Sequence, residues 1–189
     1  MTGDASTTPP ASYLPIRDDP PTVSVVIPTY ERPDLLRRAL GSVLSQTYRN
    51  IEVIVVDDAS TDDTPAVLEA IDDPRVESIR HDDNKGGSAA RNTGIRAATG
   101  DYIAFLDDDD EWLDHKLARQ MQCFCRADDD VGAVYCGNYT QRDTDAYLTR
   151  GDYPLYTGDV YRELLDGWTP VTTSLFVLDA DAVEECGGF

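Results

Sequence analysis

Residues 23–58 read VSVVIPTYERPDLLRRALGSVLSQTYRNIEVIVVDD and alternate between two kinds of pattern. The runs 23–27 and 51–56 are short and apolar, which is typical of strands buried on both faces. Between them Pro33 is placed to begin a helix, and apolar side chains recur at helical spacing as far as Leu44. The stretch therefore predicts a strand, a helix and a second strand, the unit from which parallel sheets are built.

The same alternation continues along the chain. We expect further helices at about 60–71, 88–98 and 112–125, further strands at 76–79, 102–106, 131–136 and 171–178, and a short helix before the last strand. This order predicts an α/β fold, a three-layer α/β/α sandwich with a mainly parallel sheet, as one domain over residues 22–189. Residues 1–21 carry five prolines among polar residues and are predicted to be a disordered tail.

The composition excludes several classes of partner. The 189 residues include 36 Asp+Glu against 16 Lys+Arg, a net charge of −20. Such a surface repels phosphate backbones and anionic lipid headgroups, so we expect neither nucleic acid nor membrane surfaces as partners. Lysine occurs only at Lys85 and Lys116, and most acids are aspartates, which is typical of cytoplasmic proteins of halophiles. An ordinary acidic mesophilic protein is the alternative.

The cysteines and the amino terminus indicate the compartment. Cys123, Cys125, Cys136 and Cys186 show no C-x-x-C pair and no disulfide-framework spacing, so we expect small buried thiols in a reducing compartment. The amino terminus lacks a signal peptide, and no apolar run approaches the ~18 residues that cross a bilayer. We therefore expect a cytoplasmic protein with no membrane span in this chain.

Candidate site residues follow three of the predicted strands, at 28–30, 57–58 and 107–110. The carboxyl ends of parallel strands meet where open α/β sheets bind ligands. Four successive aspartates, 107–110, repel one another when desolvated, and a divalent cation such as Mg²⁺ or Mn²⁺ would relieve that repulsion. Strand alternation would put Asp107 and Asp109 on one side and Asp108 on the other. A solvated acidic turn is the alternative.

Other polar and aromatic residues give weaker signals. His81 and His115 are far apart in sequence, and surface histidines are favoured over zinc ligands. Six tyrosines between 135 and 161 are expected to fill the core and loops, with a sugar or acceptor platform as the alternative. They are Tyr135, Tyr139, Tyr147, Tyr153, Tyr156 and Tyr161.

Six motifs, in order, resemble those of the family 2 glycosyltransferases of the GT-A fold. They are Val25-Val26-Ile27-Pro28-Thr29-Tyr30, the run 42–48 (SVLSQTY), the run 55–62 (VVDDASTD), the run 87–94 (GSAARNTG), the run 100–103 (GDYI) and the run 105–110 (FLDDDD). The similarity covers about residues 23–189. It implies a Rossmann-like GT-A domain that binds a nucleotide sugar.

The resemblance also implies roles for particular residues. Thr29, between Pro28 and Tyr30, would lie beside the nucleotide. Asp58 would accept the N–H of a uracil-like ring, with a helix cap or loop acid as the alternative. Arg91 would lie over the base or the diphosphate, with a surface ion pair as the alternative. Asp107 and Asp109 match the D-x-D positions of the family as metal ligands, and the expected substrate-binding set is Pro28, Thr29, Tyr30, Asp58, Arg91, Asp107 and Asp108.

The resemblance implies transfer of a sugar from a nucleotide-diphosphate sugar, with uridine diphosphate (UDP) as the expected leaving group, to a hydroxyl of a glycan, lipid-linked or other acceptor. Mn²⁺ or Mg²⁺ would stabilise that leaving group. The catalytic base of the family follows a Gly-Gly-Phe turn, and Gly187-Gly188-Phe189 ends this sequence. We therefore expect the base beyond Phe189, and a domain that is incomplete at its carboxyl end.

Three rival functions follow from the same sequence. A non-catalytic nucleotide-sugar-binding module is the alternative of a different class, because the acceptor and base segment is absent from this sequence. A nicotinamide-binding Rossmann enzyme is disfavoured, since no glycine-rich turn follows the first strand. A nucleotidyltransferase is disfavoured because a basic triphosphate loop is missing there.

Overall fold

The structure is a computed structural model that describes residues 20–127, 130–140, 149–150, 156–160, 166 and 172–189. The strands in this part are β1 Val23–Thr29, β2 Ile51–Asp57, β3 Val76–Arg80, β4 Tyr102–Phe105, β5 Ala133–Tyr135, β6 Tyr139–Thr140, β7 Thr149–Arg150 and β8 Phe176–Asp179. The helices are α1 Pro33–Leu44, α2 Thr64–Glu69, α3 Gly87–Ala97, α4 Lys116–Phe124 and α5 Ala180–Cys186, and a 3-10 turn covers Thr173–Leu175.

Six strands form one mixed sheet in the order β3-β2-β1-β4-β8-β5, and β6 pairs with β7 alone. The strands β1 to β4 run parallel to one another, whereas β8 is antiparallel to both of its neighbours. The chain builds outward from β1 to β2 and β3, then returns to the other side of β1 with β4. The carboxyl ends of β1 and β4 therefore flank the switch point, where this class of sheet binds ligands.

Side chains alternate between the two faces of the buried strand β1. Val25 and Ile27 pack in the core beneath α1 and α4, whereas Val26 packs with Val183 of α5 on the opposite face. Both faces of the sheet are thus covered by helices, which explains why residues 23–27 are apolar except for Ser24. The three-layer α/β/α architecture predicted from the sequence is confirmed.

Helix α3 lies unusually close to β1 because a glycine faces the strand. A Cβ atom at Gly94 would lie only 2.2 Å from Cγ1 of Val26. Since no side chain can occupy that space, the helix backbone rests directly on the sheet. This close approach brings the amino-terminal half of α3 to the same edge of the sheet as the end of β1.

Several local predictions are wrong. The strand expected at 171–178 begins only at Phe176, after the 3-10 turn, and the helix expected at 112–125 begins at Lys116. Cys123, Cys125 and Cys186 are exposed, and Cys136 is partly buried, so the cysteines are not the expected core residues. Cys123, Cys125 and Cys186 lie at or next to the carboxyl ends of α4 and α5, whereas Cys136 follows β5.

Other predictions fall outside the described residues. Residues 1–19 of the expected tail are among these, as are residues 161–165 and 167–171, which include most of the segment before the last strand where a short helix was expected. The described Pro20 and Pro21 are fixed by hydrogen bonds, since their carbonyl oxygens accept from the side chains of Asn50 and Tyr48. In the described part of the chain, no helix is long and apolar enough to cross a membrane.

Candidate functional site

A cavity of about 350 Å³ opens at the carboxyl ends of β1 and β4. It is lined by the last residues of β1, by residues that follow β1, β2 and β4, and by the first turns of α3. These are Pro28, Thr29, Tyr30, Arg32, Asp58, Gly87, Ala90, Arg91, Asp107, Asp108 and Asp109. All the residues that the sequence predicts to bind substrate or metal therefore line one cavity, and the roles expected for each of them remain predictions.

The aspartates after β4 form a turn rather than an extension of the strand. Strand β4 ends at Phe105, and the Asp110 amide donates to the Asp107 carbonyl at 3.0 Å. Asp108 is buried and accepts a hydrogen bond from the Thr29 hydroxyl. The predicted alternation is wrong, because Asp108 and Asp109 both contact Arg32 at 3.0 Å, whereas Asp107 contacts Arg91.

Burial opposes the ionisation of the inner carboxylates in this turn. Desolvation raises the pKa of Asp108 above its usual value, although Thr29 and Arg32 counteract this by favouring the charged form. Burial likewise raises the pKa of Asp110, and the nearby charge of Asp107 adds to the effect. The charge of Asp108 in turn raises the pKa of Arg32, so this guanidinium stays protonated.

Two arginines neutralise the acidic turn from opposite sides. Arg91 of α3 forms an ion pair with Asp107 Oδ1, and its guanidinium lies 5.5 Å from the ring centroid of Phe189. The alternative of a surface ion pair for Arg91 agrees with its contact with Asp107, although its side chain is only 18% exposed. Arg32 was not singled out from the sequence, and it bridges Asp108 and Asp109 from the loop after β1.

The carboxylates fit a divalent metal only in part. Among the described residues, no group of three Asp, Glu, His or Cys side chains is arranged to hold a metal by itself. Asp107 and Asp109 nevertheless offer oxygen ligands at the cavity, with side chains 25% and 52% exposed. Because Mg²⁺ is often held by one or two carboxylates plus substrate phosphates, this set fits a metal that is shared with a bound diphosphate.

Asp58 follows β2 and lies at the base of the cavity, almost wholly buried. It accepts hydrogen bonds from the backbone amides of Lys85 and Gly86 and from the side chain of His81. Burial opposes ionisation, but these donors outweigh it and hold the pKa of Asp58 below its usual value. The carboxylate is therefore charged, and it acts as an acceptor at neutral pH.

His81 is not the surface histidine expected from the sequence. Its side chain is only 7% exposed, and it lies between Asp58 and Thr93. The signal that identifies it is its place directly after β3, the same position relative to a strand that Asp58 holds after β2. His115, by contrast, is partly buried at the start of α4 and lines no part of the cavity.

The tyrosine-rich segment lies away from the cavity where it is described. Tyr135 hydrogen-bonds the backbone of Tyr156 and packs against Phe176, which agrees with the packing role. Tyr139 is exposed, and Tyr147, Tyr153 and Tyr161 lie outside the described residues. The alternative of an acceptor platform therefore stays a prediction.

Residues 24–187 match the family model described as glycosyl transferase family 2. The chain belongs to this family. It is 44% identical over 99 residues to the Escherichia coli UDP-Glc:alpha-D-GlcNAc-diphosphoundecaprenol beta-1,3-glucosyltransferase WfaP, covering 52% of this chain and 39% of that protein. The succinoglycan biosynthesis protein ExoO of Rhizobium meliloti is 46% identical over 108 residues, covering 57% of this chain and 31% of that protein.

The family 2 fold is also found in a solved structure with similar sequence. The mannosyltransferase PcManGT from Pyrobaculum calidifontis, in complex with GDP-Man and Mn²⁺, superposes with a TM-score of 0.67 at 30% identity. The match covers 91% of this chain and 48% of that one. This chain is therefore a glycosyltransferase domain of the GT-A fold, and it spans less than half the length of these three proteins.

Proposed function

We propose that this domain binds a nucleotide-diphosphate sugar in the cavity and that the protein transfers the sugar to an acceptor hydroxyl. The observation that carries the proposal is the meeting of Asp58, Arg91 and the turn 107–109 around one cavity. These side chains offer an acceptor for a base, a cation for phosphate and ligands for a metal.

Asp58 supports recognition of the base. A charged carboxylate is only an acceptor, so it suits a base that presents an N–H, such as the imide of uracil. It disfavours a base that presents a lone pair at the same place. We propose UDP as the leaving group, which agrees with the UDP-Glc in the name of WfaP. A guanine base also presents an N–H, and the structure of PcManGT holds GDP-Man.

Arg91 and the acidic turn support binding of the diphosphate. The planar guanidinium of Arg91 matches phosphate oxygens and would exchange its contact with Asp107 for them. Asp107 and Asp109 would hold Mn²⁺ or Mg²⁺ between the turn and the phosphates. When bound, such an ion stabilises the charge of the leaving diphosphate as a Lewis acid. The Mn²⁺ complex of PcManGT supports a divalent ion but does not distinguish Mn²⁺ from Mg²⁺ for this domain.

The acceptor is proposed from the relatives alone. WfaP is named for a diphosphoundecaprenol-linked sugar, so we propose a hydroxyl of a lipid-linked saccharide as the acceptor. The acidic residues before the Gly-Gly turn do not serve as the base in this proposal. Asp179 is engaged as the cap of α5, accepting from the Ala182 amide at 3.1 Å. The base expected beyond Phe189 and the cytoplasmic location remain predictions.

Calorimetric titration of UDP, with and without Mn²⁺, tests the proposal. The wild-type chain should bind UDP more tightly with Mn²⁺ present, and Asp109→Asn should abolish that gain. Glu111→Gln is the matched control, because Glu111 is exposed and pairs with Arg38 rather than facing the cavity. Equal gains in wild type and Asp109→Asn would remove Asp109 from the site, and no binding of UDP or GDP would overturn the proposal.

Turnover separates the enzyme from a binding module. Release of glucose from UDP-glucose with Mn²⁺ present would support the transferase, since water can replace the acceptor. Binding of UDP with no release, in this chain and in one extended past Phe189, would favour the non-catalytic alternative.

A further inference from the structure

His81 lies between Asp58, which lines the cavity, and Thr93 of helix α3. Both of its ring nitrogens make hydrogen-bond contacts. Nδ1 lies 2.7 Å from Asp58 Oδ1, and Nε2 lies 2.9 Å from the Thr93 hydroxyl. The side chain is 7% exposed, and His81 is not among the residues that line the cavity. Its contact with the cavity therefore runs through Asp58, which does line the cavity.

The protons of this chain of contacts can be assigned from the partners. A lone pair on Nδ1 would repel the lone pair of the Asp58 carboxylate at 2.7 Å. Nδ1 therefore carries a proton and donates it to Asp58. The Thr93 hydroxyl has a single proton, and it also lies 3.0 Å from the Ala89 carbonyl. Either that proton goes to Ala89 and Nε2–H donates to Thr93, or it goes to Nε2. The contact between Nδ1–H and Asp58 is the same in both cases.

The Asp58 carboxylate can accept a further donor only on Oδ2, because the His81 contact occupies Oδ1. Oδ1 accepts from His81 and from the Lys85 amide, whereas Oδ2 accepts from Gly86 at 2.7 Å and shares the Lys85 amide at 3.1 Å. Three donors thus make four contacts with about four acceptor sites, and the shared Lys85 contact with Oδ2 is the longest of them at 3.1 Å. A ligand N–H can take that Oδ2 site, because the Lys85 amide keeps its contact with Oδ1 and Asp58 lines the cavity.

We propose that His81 is a positioning residue for nucleotide recognition: its Nδ1–H holds Asp58 ionised and oriented so that Oδ2 meets the N–H of the base. The inference rests on the proposed function, because it assumes that a nucleotide occupies the cavity. Without His81, the buried carboxylate loses a charge-assisted donor. It could then rotate or take up a proton, and in either state it would no longer select for an N–H.

UDP and N3-methyl-UDP separate positioning from a general structural role. The methyl group removes the N–H that Asp58 would accept and leaves the diphosphate unchanged. With Mn²⁺ present, wild type should bind UDP about tenfold or more tightly than N3-methyl-UDP, the size expected for a hydrogen bond to a charged group. His81→Ala should lose most of that preference, because it should weaken the binding of UDP and not the binding of N3-methyl-UDP. His81→Asn should restore it, because its side-chain amide can donate to Asp58 from near the position of Nδ1.

His115→Ala is the matched control and should keep the full preference. Unfolding by urea and circular dichroism check that each variant is folded. The positioning role is overturned if His81→Ala weakens the binding of UDP and of N3-methyl-UDP equally, or if it leaves the preference for UDP intact. The proposed function stands in both cases. If wild-type protein binds neither UDP nor GDP, the proposed function fails, and this inference fails with it.

Discussion

The Thr29 hydroxyl donates a 2.8 Å hydrogen bond to Asp108 Oδ2 and so joins the ends of the neighbouring strands β1 and β4. The two residues are 79 positions apart in sequence. Asp108 is buried, so its carboxylate depends on this donor and on Arg32 for compensation. The floor of the cavity is thus held by contacts between strand ends.

Replacing Thr29 by valine should therefore destabilise the fold. The change keeps the shape but removes the donor, which leaves a buried carboxylate short of one partner. The expected loss is about 1–3 kcal/mol in the free energy of unfolding, measured by urea denaturation. Thr29→Ser keeps the hydroxyl and should lose much less. Equal losses in the two variants would show that the methyl group, and not the hydrogen bond, matters.

Gly94→Ala should destabilise the packing of α3 on β1. The new Cβ would lie 2.2 Å from Val26 Cγ1, so the helix or the valine must move, at a cost of about 1–3 kcal/mol. Gly41→Ala is the matched control, because Gly41 lies in α1 with no atom within 4 Å of the new Cβ. It should be neutral or stabilising by up to about 1 kcal/mol.

A second substitution, at Val26, tests whether this side chain is what opposes Gly94→Ala. Val26→Ala removes both methyl groups that the new Cβ would meet. The double variant should therefore be more stable than the sum of the two single losses predicts. Additive losses, measured by thermal or urea unfolding, would mean that Val26 is not what opposes the alanine.

Lys116 should make stability depend on pH. Its Nζ is buried 3.9 Å from the Trp112 ring centroid and has no hydrogen-bond partner among the described residues. Burial lowers the pKa of Lys116 to about 7 from an ordinary value of 10.5. Between these two values the unfolded chain holds a proton that the folded chain lacks, so Lys116 makes the free energy of unfolding rise with pH. Below pH 7 both states are charged, and the full cost of burying the ammonium remains.

Lys116→Met keeps the unbranched stem and removes the charge. Its free energy of unfolding should exceed that of wild type most at pH 6, and the difference should shrink towards pH 10 by about 1.4 kcal/mol per pH unit. Urea denaturation at several pH values measures this difference. Lys85→Met is the control, since Lys85 is exposed. Parallel curves for wild type and Lys116→Met would contradict a buried, mostly neutral amine.

Salt should stabilise the protein if its acidity is an adaptation to brine. With a net charge of −20, mutual repulsion of surface carboxylates opposes folding, and KCl from about 0.1 to 3 M screens it. The free energy of unfolding should rise over that range. The same titration near pH 4.1, the isoelectric point, is the control, because net repulsion is absent there. A flat response at neutral pH would favour the ordinary acidic protein.

The sequence predicts the parts of the fold that depend on local patterns. Strands β1 and β2 are mostly apolar because helices cover both faces of the sheet, and Tyr30 and Asp58 directly after them line the cavity. Strand β8 was misplaced because its start and its antiparallel direction depend on its partners β4 and β5. No local pattern encodes that pairing.

The site itself was predicted only where residues follow strands in a familiar order. Arg32 was missed because its contact with Asp108 and Asp109 depends on the path of the loop, in which Glu31 adopts a φ of 53°. His81 was missed because a lone histidine beside acids usually lies at the surface. Its burial follows from the docking of α3, which brings Thr93 over the end of β3.

The side chain of Asn92 exchanges two 2.8 Å hydrogen bonds with the backbone of Phe189, much as a neighbouring strand would. The Phe189 ring then rests edge-on against Phe105 and beside the guanidinium of Arg91. The placing of Arg91, which lines the cavity, is thus supported by a residue 97 positions after Asn92 in sequence. Because this contact closes a long loop, it carries an entropic cost that the contacts within α3 do not carry.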